Sequence, residues 1–101
     1  MLKIAVLGYG VVGKGVDEIA SSQSNMGVTR IFDRPEFKEK IGPRFSSLDE
    51  IMLDKDIDVV CECMGGDALP YTAITSALKN HKHVVTSNKE TVSKHLNEYL
   101  A

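Results

Sequence analysis

Apolar residues in this chain cluster in short continuous runs, and between the runs they recur with a helical period. Leu2-Lys3-Ile4-Ala5-Val6-Leu7 is such a run and ends at a glycine cluster, which predicts a buried strand. From Gly13 to about Ala20 the spacing is helical, with Val11, Val12, Val16, Ile19 and Ala20 available to a sheet. Polar Ser21-Ser22-Gln23-Ser24-Asn25 closes that helix, and Val28 to Asp33 reads as a second strand. Arg34 to Ser46 has no clear period and holds the breakers Pro35, Gly42 and Pro43; Arg44-Phe45 fits a short third strand at a sheet edge. Ser47 and Glu50 form a capping box that opens a helix reaching about Leu53. Asp58 to Cys63 is the fourth strand, and Gly65-Gly66-Asp67 is a turn with Asp67 expected as helix cap. Pro70 suits the first turn of a helix to Lys79, His83 to Thr86 is the fifth strand, and residues 93–100 form the last helix.

Apolar strands alternating with helices predict an α/β domain with a parallel sheet covered on both faces. Right-handed crossovers in a doubly wound arrangement give the strand order 3-2-1-4-5, with the first strand central. Ligands bind such sheets beyond the carboxyl ends of the strands, where the order reverses. The loops after Leu7, Cys63 and Thr86 are therefore expected to meet there.

Composition narrows the function. A chain of 101 residues suits one domain, and 43% hydrophobic with 26% charged residues is ordinary for a globular protein. The net charge is -2 and no basic block is present, so no nucleic-acid partner is expected. No apolar stretch nears the roughly 20 residues that cross a bilayer, and no membrane partner is expected. Cys61 and Cys63 fall on one face of one strand, where a disulfide would be strained; they read as free thiols, which fits a cytoplasmic location. His81, His83 and His95 lack further ligands at suitable spacing, so no metal site is expected.

The first loop carries the clearest chemistry. Gly8-Tyr9-Gly10-Val11-Val12-Gly13 is a G-x-G-x-x-G run between a strand and a helix, the setting in which that motif signals a dinucleotide. In this Rossmann-type arrangement Gly8 allows the sharp turn, Gly10 lets a pyrophosphate approach the backbone, and Gly13 lets the helix pack on the strand. The free N–H groups and the dipole at the helix start hold the diphosphate charge. Tyr9 is expected at the rim. Gly15, in mid-helix, reads either as simple tolerance or as permission for a close helix contact. Asp33 stands 20 residues past Gly13, where an acid hydrogen-bonds the ribose hydroxyls of NAD. Its neighbour Arg34 could instead pair with the 2′-phosphate of NADP, or be a solvated loop arginine. The small-molecule ligand is thus NAD or NADP, with NAD slightly favoured.

The other loops face the same crevice. Gly65-Gly66 either admits the nicotinamide half of the cofactor or simply turns the chain. Thr86-Ser87-Asn88-Lys89 brings a hydroxyl, an amide and an ammonium together, and a lysine beside hydride chemistry can position an oxygen or move its proton. Glu62, inside an apolar strand, must find a partner or reach the crevice.

Read together, these loops resemble the N-terminal nucleotide-binding domain of homoserine dehydrogenases. The resemblance covers nearly the whole chain. It rests on Ile4 to Gly15, on Asp56 to Gly66 with Glu62 inside it, and on His81 to Lys89, where the family has Thr-Ala-Asn-Lys and this chain has Ser87 for the alanine. Asn80-His81 stands where the family often has a small residue and glycine. The resemblance implies NAD(P)(H)-linked interconversion of aspartate 4-semialdehyde and homoserine, on the route to threonine and methionine. It implies pyrophosphate contacts from Gly8, Gly10, Val11, Val12 and Gly13. Gly65, Thr86 and Asn88 would border the nicotinamide, and Lys89 would assist proton transfer near both cofactor and substrate. Family members continue into a dimerising, substrate-binding domain. The expectation is therefore that residues 1–101 are one cofactor-binding domain of a homo-oligomeric parent enzyme and turn over nothing alone. Two rival readings are another amino-acid or semialdehyde dehydrogenase with the same cofactor half, and a non-enzymatic NAD(P) sensor.

Overall fold

The computed structural model describes residues 1–100. In chain order it contains β1 (Leu2–Leu7), α1 (Val11–Ser21), β2 (Met26–Phe32), a one-turn α2 (Lys38–Ile41), α3 (Leu48–Leu53), β3 (Val59–Glu62), α4 (Ala68–Lys79), β4 (His83–Thr86) and α5 (Lys89–Leu100). The four strands are all parallel, in the order β2-β1-β3-β4. This is the Rossmann-like doubly wound sheet that the strand–helix alternation predicts. The expected edge strand is reduced to one parallel bridge between Ile31 and Phe45, on the outer side of β2. Position and direction match the expectation, but the 3-10 turn Gly42–Arg44 before it leaves no room for a strand.

Alternation of side chains divides the core. Ala5, Leu7 and Val60 face α3 and α4, packing on Ile51, Met52, Ala73 and Ala77. Ile4, Val6, Val28, Ile31 and Cys61 face the opposite way, with Ala20 of α1. Two expectations about α1 need correction. It begins at Val11, and its inward stripe is Gly13, Asp17 and Ala20. Val11, Val12 and Ile19, assigned to the sheet side, are 92%, 53% and 68% exposed. The small residues are the ones turned inward, because Gly13 brings the helix so close to β1 that no large side chain fits there.

Local signals set most element ends. Ser47 Oγ accepts the Glu50 N–H at 3.1 Å and Glu50 Oε1 accepts the Ser47 N–H at 2.9 Å, so the capping box opens α3 as expected. The last helix starts at Lys89, not at residue 93, because Asn88 Oδ1 accepts the Thr91 N–H at 3.2 Å and caps it earlier. Asp67 sits at the N-cap position of α4 but makes no side-chain cap; its carboxylate is turned to His95 instead, at 3.1 Å. His81 has φ 60, the left-handed conformation that glycine adopts most readily after a helix. Lys82 follows, buried, its Nζ donating to the carbonyls of Asp54 at 2.6 Å and Ile57 at 3.2 Å. Among the described residues no helix is long and apolar enough to cross a membrane.

Candidate functional site

The glycine loop is built by close packing. Gly8 has φ 91, and its N–H donates to the Phe32 carbonyl at 2.8 Å, so the chain leaves β1 and turns back over β2. A Cβ on Gly8 would lie 3.0 Å from the Cys63 carbonyl oxygen, which puts the loops after β1 and β3 in contact. A Cβ on Gly13 would lie 2.0 Å from the Gly8 carbonyl oxygen, so only glycine lets α1 start this close to the loop. Over Gly10, by contrast, nothing lies within 4 Å of where a Cβ would be. Gly10 is the N-cap residue and offers no side-chain acceptor. The first-turn N–H groups of Val11, Val12 and Gly13 therefore have no intrahelical partner and are free for an anion.

Beside the loop lies a cleft of about 430 Å³ lined by Tyr9, Gly10, Lys14, Asp33, Arg34, Phe37, Lys40 and Ile41. Asp33 joins it to the loop: Oδ2 accepts the Tyr9 N–H at 2.9 Å and Oδ1 accepts the Arg34 N–H at 2.7 Å. A carboxylate has about four acceptor positions, so each oxygen keeps capacity for a hydroxyl. The Arg34 side chain is mostly exposed, 3.1 Å from Glu36 and with its guanidinium 5.2 Å from the Phe37 ring centre. Sequence reasoning does not mark Lys14, and it reads Lys40, in the sign-alternating Lys38-Glu39-Lys40, as solvated surface, whereas both line the cleft. Lys14 directly follows the glycine motif and could have been marked, whereas Lys40 lies in the segment without a readable period.

Tyr9, expected at the rim, lines this cleft while its hydroxyl turns inward and donates to Asp17 Oδ2 at 2.5 Å. Arg44 holds the same carboxylate with two bonds of 2.9 Å. Those bonds keep Asp17 below the usual carboxylate range, while the bond to Asp17 pushes the Tyr9 phenol up. Neither Asp17 nor Arg44 has a sequence signal of its own.

At the other two loops Glu62 finds its partners. It is fully buried, its Oε1 accepts the Thr86 hydroxyl at 2.6 Å, and its Oε2 accepts the Met64 N–H at 2.7 Å. Thr86 Oγ1 in turn accepts the Asn88 N–H at 3.0 Å. The Asn88 amide donates to the carbonyls of Met64 at 3.2 Å and Gly66 at 2.6 Å, binding the loop after β4 to the loop after β3. The polar atoms of Thr86 and Asn88 are thus spent on the frame. Lys89 is exposed, and together with Thr86, Ser87, Asn88, Val92, Ser93 and Leu96 it lines a second cavity of about 570 Å³. The structure gathers Gly10, Asp33 and Arg34 around the first cleft and Thr86, Asn88 and Lys89 around the second. Gly8, Val11, Val12, Gly13 and Gly65 line neither; Gly8 stands in the loop directly after β1, and Val11, Val12 and Gly13 form the first turn of α1.

Cys61 and Cys63 are free thiols, and burial pushes the Cys63 thiol up to about 11. His95 belongs to neither cleft. It lies 3.1 Å from both Asp67 and Glu98 and stacks at 4.2 Å on Tyr71.

A parallel sheet whose first strand enters a helix through an open glycine loop, with an acid at the end of the second strand, defines a dinucleotide-binding domain of the oxidoreductase class. Comparison with known proteins agrees. Residues 8–101 match the family described as "Homoserine dehydrogenase, NAD binding domain". The chain is 31% identical to the homoserine dehydrogenase of Pseudomonas aeruginosa over 112 aligned residues, covering 99% of this chain and 26% of that protein. Among solved structures, a homoserine dehydrogenase from Thiobacillus denitrificans superposes with TM-score 0.85 at 27% identity, over 98% of this chain and 26% of that one. The Staphylococcus aureus homoserine dehydrogenase superposes with TM-score 0.81 at 31% identity, over 97% of this chain and 28% of that one. The chain belongs to the homoserine dehydrogenase NAD-binding domain family, and its cofactor is NAD or NADP. It spans about a quarter of the length of the curated relatives it matches.

Proposed function

We propose that the chain is the cofactor-holding part of an oxidoreductase that interconverts L-homoserine and L-aspartate 4-semialdehyde. The observation that carries this reading is the open backbone over Gly10 beside the Asp33 cleft, in a chain of this family. The residues present fit the dinucleotide. The first-turn N–H groups of Val11, Val12 and Gly13 suit its diphosphate, and Gly8 and Gly13 hold the loop in the shape that exposes them. Asp33 accepts hydroxyls of the adenosine ribose. Lys14, Arg34 and Lys40 give the same cleft three cations that tolerate a 2′-phosphate, so it takes either cofactor pair.

On the nicotinamide side, Gly65, Thr86 and Asn88 shape the border through the bonds that lock their loops together. Bound nicotinamide supplies the hydride acceptor or donor. Lys89, at the first position of α5 and exposed, orients the reacting oxygen of the substrate and moves the proton exchanged there. The net charge of -2 supports a small-molecule substrate over nucleic acid. The free thiols of Cys61 and Cys63 support a cytoplasmic setting, and the resemblance supports a homo-oligomeric parent.

Calorimetric titration with NAD, NADH, NADP and NADPH tests the reading. Saturable binding of at least one pair is expected, with Lys40→Glu weakening the 2′-phosphorylated pair more than the other. Absence of binding by all four at millimolar concentration would overturn it. The activity is tested in the full-length protein, where Lys89→Ala should depress turnover of homoserine far more than cofactor affinity.

A further inference from the structure

Behind the cleft is a polar cluster that packing of the fold does not require. Asp17 lies in mid-α1 at 6% exposure, on the inward stripe between Gly13 and Ala20. A lone carboxylate there would be costly. It is satisfied by Arg44 Nη1 and Nη2 at 2.9 Å each, by Tyr9 Oη at 2.5 Å and by Ser21 Oγ at 3.3 Å. Arg44 Nη1 also reaches the Val28 carbonyl at 3.2 Å. The pair is buried at its Asp17 end while the Arg44 side chain is 38% exposed, and replacing a buried ion pair with apolar residues of similar volume is often neutral for stability or even favourable. The pair therefore needs an explanation in geometry.

The three main partners come from three parts of the chain. Tyr9 belongs to the glycine loop, Asp17 to α1, and Arg44 to the end of the segment that joins β2 to α3. Tyr9 forms one part of the cleft wall, and Arg34, Phe37, Lys40 and Ile41 of the joining segment form another. That segment holds only a 3-10 turn, the one-turn α2 and a second 3-10 turn, with Gly42 at φ 84 between Ile41 and Pro43. Besides Arg44, it is held by Ile41 packed on the core and by the bridge of Phe45 to Ile31 at its far end. We propose that Asp17 is a positioning residue for the adenosine half of the dinucleotide: through Arg44 and Tyr9 it ties the joining segment to the glycine loop and sets the width of the cleft. This rests on the reading of that cleft as the adenosine site.

The test is titration of the chain with ADP-ribose, alongside thermal melts and limited trypsin digestion at Lys38 and Lys40. Three variants are compared with the unaltered chain: Asp17→Asn, Tyr9→Phe, and the double variant Asp17→Leu with Arg44→Met. Affinity should fall about tenfold in Asp17→Asn and in the double variant, the scale set by loss of pre-organisation and of charge-assisted bonds. Tyr9→Phe, which removes one hydroxyl and leaves the ion pair, should lose about threefold. The double variant should keep its melting temperature, and cleavage at Lys38 and Lys40 should quicken in it and slow again with saturating ADP-ribose. A double variant that melts and binds like the unaltered chain would overturn the proposal. So would affinity losses that merely follow losses in melting temperature across the set. Should the double variant fail to fold, Tyr9→Phe decides on its own: unchanged binding refutes the tie. Failure of the unaltered chain to bind ADP-ribose overturns the reading of the cleft and this inference with it, and is told apart by appearing before any substitution.

Discussion

Glu62 and Thr86 stand side by side at the ends of β3 and β4, paired in register, and the Thr86 hydroxyl donates to Glu62 Oε1 at 2.6 Å. The bond places a fully buried carboxylate at the point where the loops after β3 and β4 begin. Thr86→Val removes the hydroxyl at nearly constant volume. Glu62 then loses a donor and the Asn88 N–H loses its acceptor, a loss of about 2–4 kcal/mol for two buried groups left partly unsatisfied. Thr86→Ser, which keeps the hydroxyl, should lose less than half as much. Urea unfolding of the three proteins checks this, and a larger loss from Thr86→Ser than from Thr86→Val would mean that the methyl group, not the hydroxyl, matters.

Asn88 does three jobs with one side chain. Its amide nitrogen donates to Met64 and Gly66, and its oxygen caps α5 through the Thr91 N–H. Asn88→Asp keeps the cap and loses both donors, placing a charge against two carbonyl oxygens. Asn88→Ala loses everything. The aspartate variant is expected to speed amide exchange in the Gly65-Gly66 turn while leaving the first turn of α5 protected; the alanine variant should release both. Exchange rates by NMR read the two regions separately. Uniform loosening in both variants would argue against divided roles.

The fold was legible where a physical constraint acts over a few residues. Period and length mark the four strands, the G-x-G-x-x-G spacing marks the loop, and Ser47 with Glu50 marks the start of α3. The joining segment was not legible, because its geometry comes from a long-range ion pair, Asp17 with Arg44, between residues 27 apart. That pair also misleads the reading of α1: an acid at an inward position hides the true buried stripe, and the exposed Val11, Val12 and Ile19 suggest a false one. At the candidate site, spacing points to the three loops but not to Lys14 and Lys40 in the cleft, nor to the consumption of Thr86 and Asn88 by internal bonds. Spacing alone cannot say whether a polar atom faces a ligand or a neighbouring loop.

Stability should fall at both ends of the pH range, for separate reasons. Asp17 is held below its ordinary range by the bonds to Arg44, so its contribution is complete above the unfolded carboxyl value and is lost as pH falls through the lowered folded one. His95 is raised, chiefly by its bond to Glu98 and then by Asp67, with Tyr71 and Tyr99 as its other titratable neighbours. Its contribution is complete below the unfolded imidazole value and is lost as pH rises through the raised folded one. Melting temperature measured against pH should therefore show a decline as pH rises above the ordinary imidazole value that His95→Gln flattens, and an acid decline that Asp17→Asn flattens. A decline of the same depth with rising pH in His95→Gln would detach that limb from His95.

The glycines offer the sharpest separation of folding from binding. A methyl at Gly13 would meet the Gly8 carbonyl oxygen at 2.0 Å and Val6 Cγ1 at 3.0 Å, so Gly13→Ala must push α1 off the loop, at about 1–3 kcal/mol. A methyl at Gly10 meets nothing within 4 Å, so Gly10→Ala should fold as well as the unaltered chain. It nevertheless occupies the space through which a diphosphate reaches the backbone, so dinucleotide binding should weaken at least tenfold, as for a lost close approach. Among the described residues Gly15 also meets nothing within 4 Å, so no helix among them accounts for it. Gly15→Ala should stabilise the chain by about 1 kcal/mol, the helix propensity gained. Melting temperature and cofactor titration, measured together on the three variants, give three different signatures. A Gly10→Ala protein that keeps full affinity would show that the diphosphate does not cross this loop.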